Sequence, residues 1–102
     1  MNRARAIIGG TGFEHLAGDF ASRIILTPYG TATVYVGNEG LIFLPRHGPN
    51  HTLPPHRVNY RANIKVLADL GVDKIVGIAT VGSTNKRVPP GSVVNLSQFI
   101  DL

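Results

Sequence analysis

The chain has 102 residues, 43% of them hydrophobic and 16% charged, a net charge of +4 and no cysteine. That is room for one small domain, too apolar and too weakly charged for a disordered chain, with no disulfide framework and no thiolate metal site. The positive balance suits an anionic partner, but no basic run exceeds two residues, so the stripe expected of a nucleic-acid binder is missing.

In chain order, the first apolar run lies in "MNRARAIIGGTG". It is too short for a signal peptide or a membrane span, so we expect a cytoplasmic protein with no membrane contact. "ARAIIGG" reads as a short buried strand ending at glycines. "SRIILTPYG" and "TATVYVG" are β-branched and aromatic runs around Pro28, Tyr29 and Gly30. "NEG" is a turn and "LIFLP" another strand, so this half reads as a meander or hairpins. "HRVNYRANIKVLADLG" is the one strong helical pattern. Val58, Ala62, Ile64, Val66, Leu67 and Leu70 form its apolar stripe and Gly71 stops it. "DKIVGIATVG" has the length and apolarity of a central parallel strand. "PPGSVVNLSQFIDL" reads as a turn and a further short strand. A helix followed by a buried strand predicts βαβ architecture and the α/β class. Strands buried on both faces need helices on each side, and this chain has only one good helix to offer.

Three stretches could carry chemistry, each at a predicted strand end. In "IIGGTGFE" the glycines allow close backbone approach to an anion, and Thr11 adds a hydroxyl. A dinucleotide fingerprint read from Gly10 would need glycine where His15 stands, and no lysine follows to make a Walker loop. The second stretch, "LPRHGPNHTLPPH", holds one arginine, three histidines and four prolines. Arg46 offers a planar fork for phosphate oxygens, and His47 beside it a second bond. His47 and His51 are spaced for a metal on a helix, but Gly48 and Pro49 lie between them and no carboxylate or cysteine completes a set; we expect no metal. The third, "IATVGSTN", ends a strand with amides available around Val81 and Gly82. All three suit anion binding at the carboxyl ends of strands.

Taken together, "IIGGTGFE", "LPRHGPNHTLPPHRVNYRANI", "TVGS" and "PGSVVNLSQFID" resemble the N-terminal part of the 5'-methylthioadenosine and S-methyl-5'-thioinosine phosphorylases, within the purine nucleoside phosphorylase family. "PPHRVNYRAN" looks more like the methylthioinosine branch. The resemblance implies the N-terminal portion of a three-layer α/β fold with a mixed central sheet, residues 1–102 being a partial nucleoside phosphorylase domain. It implies an enzyme of purine salvage, a pentosyltransferase in which phosphate displaces a purine from the ribose C1' without a covalent enzyme nucleophile. By position, Thr11, Arg46, His47 and Thr80 would bind phosphate, and Val81 and Gly82 would sit beside the nucleoside. No residue here would be catalytic in the covalent sense, and inorganic phosphate is a co-substrate, with no cofactor. The family's ribose contacts and its acidic group at purine N7 lie downstream, so the 102 residues alone are expected to be inactive. A homotrimer is implied for the full-length form. A non-catalytic anion-binding α/β module is the alternative should the natural chain end at Leu102.

Overall fold

The computed structural model describes residues 4–10 and 20–100. Five strands form one mixed sheet: β1 (Ala4–Gly9), β2 (Ala21–Thr27), β3 (Gly30–Val36), β4 (Leu41–Pro45) and β5 (Val72–Ile78), in the order β2-β3-β4-β1-β5. One helix, α1 (Tyr60–Asp69), lies between β4 and β5 in sequence. β1 runs parallel to β4 on one side and to β5 on the other, and β2, β3 and β4 are antiparallel neighbours. The α/β class and the mixed sheet stand as expected.

Each element follows from its local sequence. Thr27 closes the β2–β3 hairpin: its Oγ1 donates to the Gly30 carbonyl at 2.7 Å and accepts from the Tyr29 amide at 3.1 Å. Gly30 has φ +121°, and an added Cβ would lie 2.9 Å from Asn59 Nδ2, so glycine is required there twice over. Asn59 is the N-cap of α1, its Oδ1 accepting from the Ala62 amide at 3.1 Å. The same side chain donates from Nδ2 to the Tyr29 carbonyl at 2.7 Å. One asparagine therefore starts the helix and fastens it to the hairpin turn. Gly71, at φ +77°, ends it, its amide donating to the Ala68 carbonyl at 3.1 Å.

α1 covers one face of the sheet. Ala62, Val66 and Leu67 pack on Ala6, Ala32, Val34, Ile42 and Leu44. Phe43 points to the other face, where its ring centroid is 6.4 Å from that of Tyr35. Residues Ile42 to Pro45 are all buried, as befits a strand apolar on both faces.

Four expectations are corrected. α1 begins at Tyr60, because Pro55–Arg57 forms a separate 3-10 turn and Asn59 caps the helix proper. Ile64 belongs to the outer side of α1, 52% exposed, while Val58 is buried ahead of the helix. β5 pairs parallel with β1 as expected but ends the sheet among the described residues rather than lying inside it, with Ile75 and Val76 exposed at 46% and 57%. Residues 92–100 form no strand: a turn in which the Ser92 amide donates to the Pro89 carbonyl at 3.1 Å leads into an exposed segment.

Candidate functional site

The site is built where β1, β4 and β5 end together. Parallel register places Gly9 beside Pro45 on one side and Ile78 on the other. The ladder continues one step further: the Arg46 amide donates to the Gly9 carbonyl at 2.9 Å, and the Gly10 amide to the Ile78 carbonyl at 3.2 Å. Two stretches distant in sequence, Gly9-Gly10 and the start of "PRHG", are thereby held side by side at the carboxyl edge of the sheet.

Arg46 lies across Gly10. A Cβ added at Gly10 would collide with the Arg46 guanidinium. The first need for glycine at the start of "GTG" is therefore steric, making room for an arginine over the backbone. This places a fork of N–H donors beside Gly10; Thr11, the next residue in sequence, falls outside the described residues.

His47 turns into the loop that follows β4. It is 8% exposed. Its Nδ1 lies 2.8 Å from the Leu53 carbonyl, and the Leu53 amide donates back to the His47 carbonyl at 2.9 Å. A carbonyl oxygen only accepts, so the ring carries its proton on Nδ1. Nε2 is then an acceptor in the neutral ring and a donor only in the imidazolium. A phosphate P–OH can donate a hydrogen bond to the neutral ring, and a phosphate oxygen can accept one from the charged ring.

The loop is tight. The Gly48 amide donates to the Pro45 carbonyl and the His51 amide to the Gly48 carbonyl, both at 3.1 Å. Gly48 has φ +86° and His51 φ +53°. The ring centroids of His47 and His51 are 4.7 Å apart, tilted by 52°. The two histidines do meet, from a loop rather than a helix. Among the described residues no group of three or more His, Cys, Asp or Glu is arranged to hold a metal ion.

Thr80, Val81 and Gly82 follow β5 as an irregular, exposed segment, Val81 being 77% exposed. The Gly10–Ile78 hydrogen bond fixes the start of this segment beside Gly10, two residues before Thr80. Arg46 and Gly10 are thus brought into contact, with His47 on the adjoining loop. Val81 and Gly82 border solvent in this chain.

What the sequence did not show is Gly10 as the seat of Arg46, the Leu53 carbonyl that sets the His47 tautomer, and the contact between the His51 and His47 rings. A backbone carbonyl leaves no mark in a sequence. The four-residue spacing of His47 and His51 was a visible signal, but it pointed to metal chemistry.

The model of the phosphorylase superfamily matches residues 4–102. The chain belongs to this superfamily. As a phosphorylase-superfamily chain it is 44% identical over 100 residues to the 6-oxopurine nucleoside phosphorylase of Pyrococcus furiosus, covering 94% of this chain and 38% of that protein. It is 45% identical over 100 residues to the S-methyl-5'-thioadenosine phosphorylase of Thermococcus kodakarensis, covering 93% and 39% respectively. It is 43% identical over 96 residues to a protein named as a probable S-methyl-5'-thioinosine phosphorylase from Methanocaldococcus jannaschii, covering 93% and 38%. The superfamily chain thus spans well under half the length of these relatives. The solved structure of methylthioadenosine phosphorylase from Schistosoma mansoni in complex with adenine superimposes with a TM-score of 0.73 at 38% identity, over 87% of this chain and 35% of that one.

Proposed function

We propose that the protein carrying this chain is a purine nucleoside phosphorylase. Inorganic phosphate attacks C1' of a purine nucleoside, the C1'–N9 bond breaks, and free purine and a pentose 1-phosphate leave. The observation that carries the reading is the seating of the Arg46 guanidinium over Gly10 at the carboxyl ends of β1 and β4. An arginine held there supplies a rigid fork of donors where α/β folds bind anions. The named activities of the similar proteins support the reaction class: 6-oxopurine nucleosides, methylthioadenosine or methylthioinosine.

In this reading Arg46 holds two phosphate oxygens and His47 a third through Nε2. The Thr11 hydroxyl and the Thr80 backbone complete the cradle, and Val81 and Gly82 lie beside the nucleoside. The ribosyl-cation-like transition state develops positive charge on the sugar, between the phosphate anion and the departing purine, which takes the electron pair of the C1'–N9 bond. Holding the phosphate in line therefore lowers the barrier by positioning and by electrostatics rather than through a covalent enzyme intermediate. No cofactor or nucleic acid enters this scheme. A homotrimer of the full-length form and a cytoplasmic location go with this reading.

The test is Arg46→Ala in the full gene product. Losing two charge-assisted hydrogen bonds of about 1.5 kcal/mol each raises KM for phosphate roughly a hundredfold, with the nucleoside KM little changed. Unaltered phosphate dependence in Arg46→Ala would remove Arg46 from the site. Phosphate binding without any turnover of a purine nucleoside would favour the non-catalytic anion-binding module.

A further inference from the structure

We infer that His51, beyond scaffolding its loop, is a positioning residue of the phosphate site. It acts through its ring, which packs against His47. The inference rests on the phosphate-site reading above.

Three observations support it. His51 stands at φ +53°, a left-handed backbone that glycine or asparagine adopts with less strain. The residue belongs to an exposed loop, yet its ring lies with its centroid 4.7 Å from that of the buried His47, tilted at 52°. That spacing is within the range of favourable aromatic pairs. The His47 ring is meanwhile held at one edge by its Nδ1 bond to the Leu53 carbonyl.

One hydrogen bond at Nδ1 leaves an imidazole free to rock about the donor–acceptor line. A second ring packed at a tilt beside it limits that freedom, so Nε2 keeps one direction. The loop's backbone bonds, from His51 to the Gly48 carbonyl and from Leu53 to the His47 carbonyl, bring both constraints from within seven residues of chain. A strained backbone at His51 is explained if the position needs a ring rather than an easy turn.

The experiment compares His51→Gly, His51→Asn and His51→Phe in the full gene product, with Arg46→Ala as reference. Glycine and asparagine suit the backbone and remove the ring; phenylalanine keeps a ring without imidazole nitrogens. We expect His51→Gly and His51→Asn to raise KM for phosphate about tenfold, less than the roughly hundredfold scale of a full 1 Å misplacement. Their KM for the nucleoside should stay unchanged and their melting temperatures should not fall. His51→Phe should stay close to the parent in phosphate KM. Labelled-histidine NMR should show the His47 ring signals shifted in the glycine and asparagine variants. Parent-like phosphate KM in His51→Gly or His51→Asn overturns the inference, as does His51→Phe falling as far as His51→Gly. The phosphate-site reading survives either result so long as Arg46→Ala loses phosphate. If Arg46→Ala keeps it, the reading itself fails and the inference falls with it.

Discussion

At Gly10 a single hydrogen atom in place of a methyl group decides where an arginine can lie. Arg46 is long and flexible, so a methyl at position 10 would push its guanidinium aside rather than break the strand. We therefore expect Gly10→Ala to change stability by less than about 1 kcal/mol, the range of substitutions that leave the core intact. Phosphate affinity should fall all the same, by an amount approaching that of Arg46→Ala. Thermal melting and a calorimetric phosphate titration of the same preparation separate the two effects. A Gly10→Ala protein that binds phosphate normally would show that the guanidinium works from elsewhere. The arginine and histidine were legible in the sequence as residue types suited to anions. Their seating was not, because it depends on the β1–β4 register, which pairs Gly9 with Pro45 across a gap of more than thirty residues.

At the scale of the elements, Asn59 is the joint between α1 and the β2–β3 hairpin. Asn59→Ala removes an N-cap, about 1 kcal/mol, and a hydrogen bond to the Tyr29 carbonyl, about 1 kcal/mol more. A loss near 2 kcal/mol in chemical denaturation is expected; a loss under about 0.5 kcal/mol would show that solvent replaces both bonds. Leu44, fully buried on β4 beneath α1, sets the upper end of the scale. Leu44→Ala should destabilise by about 2–5 kcal/mol through lost burial and a cavity. The apolar periodicity made β1, β4 and α1 readable, since each has a face in the core. The same pattern found β5, parallel to β1, but not its lack of cover, and it gave residues 92–100 a strand they do not form. Hydrophobicity reports that a segment is built to be covered, and these two are uncovered here: Val93, Leu96, Phe99 and Ile100 are exposed at 98%, 80%, 78% and 84%. The helix start was also misread, because proline is tolerated at the first turn of an α-helix and of a 3-10 turn alike.

The whole molecule is less compact than its length allows. Its radius of gyration is 14.5 Å, against about 13 Å for a compact domain of 100 residues. One sheet face is packed by α1. On the other, Ile24 and Leu26 are exposed at 75% and 79%, and Val76 at 57%. β5 adds an unpaired strand edge among the described residues. Exposed apolar faces and open edges promote association. The 102-residue polypeptide made on its own should therefore self-associate with rising concentration. Val76→Lys, which puts a charge on the uncovered face, should shift it toward monomer in sedimentation velocity. A parent polypeptide that stays monomeric at high concentration would contradict this.

The most direct test of the central claim is purine release from methylthioinosine, methylthioadenosine and inosine by the full gene product, with and without inorganic phosphate. The account predicts release of purine and pentose 1-phosphate in equal amounts from at least one of them, and none when phosphate is withheld. Purine release that proceeds equally without phosphate would contradict it, because the anion seated by Arg46 over Gly10 would then have no part in the reaction.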